Sequence, residues 1–143
     1  MAATKRQLNW SNVTFTPASG TATTATGVTS VAIDSGGNLL KFSGDGDLYA
    51  TLVVCDYNEP RADVGLADEA WALGIPTGTV GAFTATHKDA KGASGGGIVF
   101  ALSPAVAEKP KASGQHRQIG VAGIGFVGAS TDGVTNPLSF TLV

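Results

Sequence analysis

Charge is scarce in this chain. Only 14% of its 143 residues are Asp, Glu, Lys or Arg, against about a quarter in a typical soluble domain. Thr, Ser, Gly and Ala must supply much of the surface. That composition suits a surface covered by neighbouring subunits, and it equally suits an uncharged β-sandwich. The formal net charge of −2 excludes a global pull toward nucleic acid or anionic membrane. Cysteine is nearly absent: the single Cys55 excludes an intrachain disulfide and any multi-cysteine zinc site. It lies inside an apolar run, where a buried and inert thiol is expected. No segment approaches the ~20 consecutive apolar residues of a membrane span. Lys5 and Arg6 are followed by no apolar run, so no signal peptide is read at the N-terminus.

The chain has the length of one domain with a sizeable core, and its patterns are those of strands and turns. From Lys5 to Thr16, Leu8 and Trp10 share one phase of a period-2 pattern and Val13 and Phe15 the other, which predicts a bulge or turn at Ser11-Asn12. Pro17 to Gly27 lacks charge and large side chains, and reads as a flexible loop that orders against another subunit. Val28 to Ile33 and Leu39 to Phe42 flank the turn Asp34-Ser35-Gly36-Gly37-Asn38, the pattern of a hairpin. Leu48 to Tyr57 is apolar in both phases (Leu52 and Val54, Val53 and Cys55), which predicts a strand buried on two sides and ended by Asp56, Glu59, Pro60 and Arg61.

A short helix is predicted over about 66–73. Leu66, Ala70 and Leu73 fall at i, i+4 and i+7 with Trp71 beside them. Asp68 and Glu69 suit the positive end of the dipole, and Gly74 and Pro76 stop the helix. Trp71 is expected to plug an open end of the sandwich. Val80 to Lys88, Ile98 to Val106, Gln118 to Ala129 and Leu138 to Val143 read as further strands. Loops fall at about 89–97 and 108–116. The prediction is one mainly β domain over 1–143 with a polar N-terminal segment: an antiparallel β-sandwich or barrel-like sandwich with one flanking helix.

Motifs that invite a chemistry fail on their context. Ser43-Gly44-Asp45-Gly46-Asp47 lacks the further ligands and terminal Glu of a calcium loop, and reads as an Asx turn. The glycine-rich 89–97 is followed by a strand, whereas a phosphate cradle opens a helix. Gly123-Ile124-Gly125-Phe126-Val127-Gly128 spells a dinucleotide fingerprint. No helix pattern follows it, and the acidic partner expected about 20 residues on is missing. The sequons at Asn9 and Asn12 carry little weight without a signal peptide. His87 and His116 sit in no catalytic motif, and the carboxylates are scattered over turns. No residue is singled out as catalytic, cofactor-binding or metal-ligating.

Charge placement says more than charge total. Between Asp34 and Glu69 the acids Asp34, Asp45, Asp47, Asp56, Glu59, Asp63, Asp68 and Glu69 face only Lys41 and Arg61. Between Lys88 and Arg117 the cations Lys88, Lys91, Lys109, Lys111 and Arg117 face Asp89 and Glu108. Opposed patches suit head-to-tail contacts between copies; solvated faces give the same pattern.

From Gly44 onward the order of features resembles a known family. A Gly-Asp turn, the strand Tyr49-Ala-Thr-Leu-Val-Val, a short helix and Gly78-Thr-Val-Gly-Ala-Phe come first. A glycine-rich hairpin, Ile98 to Val106, a polar loop and a long strand before Asp132-Gly133-Val-Thr-Asn-Pro-Leu follow. About the last two-thirds of the chain is similar to the small β-sandwich structural proteins of tailed-bacteriophage virions, most of all tail-tube (major tail) subunits. The resemblance implies hexameric rings stacked around a channel for DNA passage. It implies a non-enzymatic homo-oligomer in the virion, made in the host bacterial cytoplasm, with other virion proteins as partners and neither membrane nor small-molecule substrate. The loops 17–27, 89–97 and 108–116 are the candidate inter-ring contacts, and no distinctive inter-ring arm stands out. A capsid decoration or cementing protein is the second reading. A soluble carbohydrate- or ligand-binding β-sandwich, with Trp71 or Trp10 as platform, is the third.

Overall fold

The computed structural model describes residues 10–55, 57–67, 69–87, 97–118 and 120–142. The polar N-terminal segment before Trp10, most of the 89–97 loop, and Asp56, Asp68, Lys88 and Lys91 lie outside the described residues. The strands in chain order are β1 (Trp10–Pro17), β2 (Thr23–Thr24), β3 (Val28–Asp34), β4 (Leu39–Phe42), β5 (Leu52–Cys55) and β6 (Arg61–Leu66). After the helix α1 (Glu69–Leu73) come β7 (Val80–His87), β8 (Ile98–Ala107), β9 (Lys111–Ser113), β10 (Val121–Gly128) and β11 (Leu138–Leu142). The fold is mainly β and sandwich-like, its pairings antiparallel, with one short helix among the described residues.

One large sheet runs β2-β1-β7-β8-β10-β6-β3. The long β8 pairs with β7 along one edge. On the other it pairs with β11 through Ile98–Leu102 and with β10 through Ala105–Ala107. Its inward phase shifts between Leu102 and Ala105, opposite the register shift between Gly81 and Phe83 of β7. The sheet curls until β1 and β3 approach, and among the described residues no ladder closes it into a barrel.

The inner face carries the core: Val13 and Phe15 of β1, Ala62, Val64 and Leu66 of β6, Phe83 and Ala85 of β7, Leu102, Ala105 and Ala107 of β8, and Ala122, Ile124 and Phe126 of β10. Phe126 is its centre, stacked on Phe15 and on Phe83 with both ring centroids 4.8 Å away. Trp71, 9% exposed, meets Phe126 at 6.3 Å and closes one end of the core. Ile124 and Phe126 with Ala122 explain the fingerprint-like stretch. These are the inward residues of a central strand, and Gly123 and Gly125 between them face outward.

The bulge expected at Ser11-Asn12 is present: the β1–β7 register shifts between Ser11 and Thr14, with Asn12 at φ 51°. Several expectations are corrected. Arg61 begins a central strand instead of ending one, because Ala62, Val64 and Leu66 alternate inward against outward Arg61, Asp63 and Gly65. The helix is correspondingly shorter than 66–73. Leu66 belongs to β6, and the buried helix residues are Trp71 and Ala72 while Leu73 is exposed. Val28–Ile33 and Leu39–Phe42 do not form a hairpin. β3 pairs with β6 in the main sheet and β4 with β5 in a separate two-stranded sheet. Within 17–27, β2 pairs with β1, Ala25 is buried, and its N–H donates to the Val13 carbonyl at 2.8 Å. Within 108–116, β9 pairs with β10.

Candidate functional site

The largest departure from expectation is β5. Leu52–Cys55 is exposed throughout, where the apolar pattern predicts burial on both sides. Its ladder runs only to β4, in the register Leu39↔Cys55, Leu40↔Val54, Lys41↔Val53 and Phe42↔Leu52. Opposed residues share a face, and faces alternate along the strand. One face of the ribbon is thus wholly apolar, formed by Leu40, Phe42, Leu52 and Val54. The other carries Leu39, Val53 and Cys55 beside Lys41. Each of these large apolar side chains is about half exposed, with Phe42 at 61%. Cys55, expected buried, is exposed, its thiol 3.4 Å from Asn58 Oδ1.

Local chemistry explains the ribbon's two ends. At its base, Gly36 and Gly37 adopt φ of 78° and 115°, and the Gly36 N–H donates to Asp34 Oδ1 at 2.8 Å. A Cβ at Gly36 would sit 2.6 Å from the Glu59 backbone, so the two legs run in contact where the chain leaves the domain. At its tip, the Gly44 N–H donates to Asp47 Oδ2 at 2.9 Å and the Asp47 N–H to the Gly44 carbonyl at 3.1 Å. The Gly-Asp stretch is therefore a β-turn over Gly44–Asp47 whose last side chain bonds back to its first N–H, in place of the expected Asx turn. Beyond it Leu48 and Tyr49 are 92% and 84% exposed.

An isolated two-stranded hairpin is marginal in water, and contiguous exposed apolar surface of this kind marks an interaction site. Fully covering a large side chain stabilises by about 1.5–3 kcal/mol, so covering these half-exposed ones contributes about 1 kcal/mol each.

The charged residues divide in a way that charge counting misses. Arg61 is bound at 2.8 Å to Asp63 and 3.0 Å to Glu108, with Gly125 beneath them. The hydrogen bonds that Arg61 donates to the Asp63 carboxylate hold its proton more tightly than in a free guanidinium. Asp63 and Glu108 are thereby engaged within the subunit. Asp45 and Asp47 at the ribbon tip, and Lys109, Lys111 and Arg117 on the opposite stretch, are exposed.

An open groove of about 600 Å³ lies beside β9 and β10, lined among others by Lys109, Pro110, Lys111, Ala112, Val121 and Gly123. A depression of about 710 Å³ lies at the ribbon base between Tyr57, Pro60 and the 130–137 loop. That loop is organised by Asp132, which accepts from the Val134 and Thr135 N–H groups at 2.8 and 2.7 Å and from the Ser130 and Thr135 hydroxyls at 2.8 and 2.7 Å. The Thr135 and Val134 donors hold its carboxyl far below the usual range.

His87 is half-buried against Trp10, ring centroids 4.8 Å apart, and Trp10 also meets Phe100 at 5.7 Å. His116 lies in an exposed turn. Among the described residues no three His, Cys, Asp or Glu side chains cluster as metal ligands. Trp71 lies against the core and its indole nitrogen donates to Thr23 Oγ1 at 3.2 Å, so it offers no open ring face as a ligand platform. Compared with known proteins, the chain matches no family model and no curated sequence.

Proposed function

We propose that this chain is a non-enzymatic, self-assembling structural subunit of a tailed-bacteriophage virion, of the tail-tube type, whose copies form rings stacked around a channel for DNA. The observation that carries the assembly part is the β4–β5 ribbon, wholly apolar on one face, mostly apolar beside Lys41 on the other, and outside the core of its own domain. A ribbon with exposed apolar side chains on both faces is stabilised when those faces are covered, and neighbouring subunits in a repeating array supply two such surfaces. The virion and tail-tube part rests on the similarity in order of elements and turns read in the sequence from Gly44 onward, an order into which β6 enters between β5 and α1. Its partners in this reading are further copies of itself and other virion proteins, with the protein made in the host cytoplasm.

Electron microscopy of the purified protein over a range of concentrations tests the proposal. Rings or tubes that grow with concentration are expected. A monomer at every concentration overturns the assembly reading. Small oligomers that never polymerise, and that bind expanded phage heads, transfer the protein to capsid decoration.

A further inference from the structure

Resting on that assembly reading, we infer that the acidic tip of the ribbon docks in the β9–β10 groove of a second copy. The groove is lined by Pro110, Ala112 and Val121, the last 60% exposed, and Val121 shares its face of the β9–β10 pair with Lys111. Its rim carries Lys109 and Lys111, with Arg117 on the connection that joins β9 to β10. Glu108 is bound to Arg61 and lines the adjoining depression together with Asp63, Lys109 and Lys111, and the two lysines remain exposed beside the groove. Glu69 lies against Gly120 at the far end of the β9–β10 connection. The ribbon tip is the complement of this surface: exposed Leu48 and Tyr49 match exposed Val121, and Asp45 and Asp47 meet the lysines beside it.

The competing occupant is a second ribbon laid on the first, and charge placement disfavours it. The ribbon is acidic at both ends, with Asp45 and Asp47 at the tip and Asp34 and Glu59 at the base, and Lys41 is the cation on its strands. Two ribbons packed parallel set tip against tip, and packed antiparallel set tip against base. Either way acids face acids, which is destabilising. Tip into groove is instead a heterologous contact: donor and acceptor surfaces differ and lie on different parts of the subunit. Such a contact propagates into a ring or a stack.

The test uses two full-length variants. Asp45→Lys/Asp47→Lys reverses the tip, and Lys109→Asp/Lys111→Asp reverses the groove. Each alone is expected to raise the concentration for half-assembly by at least about tenfold, read by sedimentation velocity, because like charges then meet at the contact. Mixed one to one, the two co-assemble, since every tip then finds a groove of opposite sign. All four positions are exposed, and circular dichroism checks each variant's fold. The neutral pair Asp45→Asn/Asp47→Asn gives a smaller shift in the same direction. Groove-reversed protein that assembles like the parent overturns the docking site. If replacing residues 39–55 by a short Gly-Ser linker still abolishes assembly, the subunit reading survives that result. A parent protein that never assembles removes both.

Discussion

The indole N–H of Trp71 donates to Thr23 Oγ1 over 3.2 Å, joining two residues 48 apart in sequence. It fastens the only helix among the described residues to the short strand that extends the sheet beyond β1. The Ala67 N–H adds a second tie, to the Gly27 carbonyl at 2.9 Å. The small, uncharged residues of 17–27 are thus held by backbone pairing and by a tryptophan supplied from elsewhere in the chain.

Thr23→Val keeps the side-chain shape and removes the acceptor. It also removes the hydroxyl that donates to the Phe15 carbonyl at 3.3 Å, so the expected cost is that of two ordinary hydrogen bonds, about 1–3 kcal/mol. Trp71→Ala also strips the ring from beside Phe126, and the expected cost rises to about 3–5 kcal/mol. Urea unfolding followed by circular dichroism measures both. Equal costs for the two variants would mean that the indole contributes little as packing.

Gly125 is required by what covers it. A Cβ there would lie 2.8 Å from Asp63 Oδ1, 3.2 Å from Arg61 Nη2 and 3.3 Å from the Glu108 carboxyl carbon. Gly125→Val pushes apart the ion-paired cluster and strains a central strand, with an expected loss of about 1–3 kcal/mol. Arg61→Ala removes ion pairs whose side chains are 33–50% exposed, and loses no more than about 1 kcal/mol. Thermal unfolding of the two variants gives the order, and a larger loss for Arg61→Ala would contradict this account.

Asp132 sets an acid limit on the 130–137 loop. Its carboxyl titrates well below its unfolded value because Thr135, Val134 and Ser130 all donate to the ionised form. A group depressed in the folded state adds stability that is fully present above its unfolded pKa, and that stability is lost as pH falls through the folded value. The parent should therefore lose stability over Asp132→Asn as pH is lowered from about 5 toward 2. At pH 7 the parent should be the more stable of the two. Parallel stability profiles across that range would show that the loop does not depend on the ionised carboxylate.

Much of the domain is legible in residue patterns. β7 shows its inward Phe83 and Ala85 by plain alternation, and the phase break at Ser11-Asn12 marks the β1 bulge. β6 is harder because Leu66 fits two periods at once, closing the strand set Ala62, Val64, Leu66 and opening the helical set Leu66, Ala70, Leu73. Tertiary packing decides for the strand, since Leu66 is buried and Leu73 is not. The Asp34–Asn38 turn has hairpin chemistry, yet the chain uses it to leave the sheet. Pairing partners depend on long-range register, and local turn residues do not encode that. The ribbon is the plainest case. Leu39, Leu40, Phe42 and Leu52 to Cys55 announce a pair of strands that need cover on both sides, and nothing in a single chain says whose surface provides it.

That distinction yields the sharpest measurement. If Phe42 and Leu40 belonged to the subunit's own core, replacing either by Ser would cost about 2–5 kcal/mol of folding stability. On an exposed ribbon the same substitutions should change monomer stability by no more than about 0.5 kcal/mol, while the midpoint of assembly rises by about tenfold or more. Cys55 provides an internal reporter on the second ribbon face. Its thiol is exposed in the free subunit and should react readily with a maleimide there, then become protected in assembled particles. Retained stability, weakened assembly and a thiol that closes on assembly would together locate the interface on β4 and β5. A Phe42→Ser monomer that unfolds in mild urea would return the ribbon to the domain's own core.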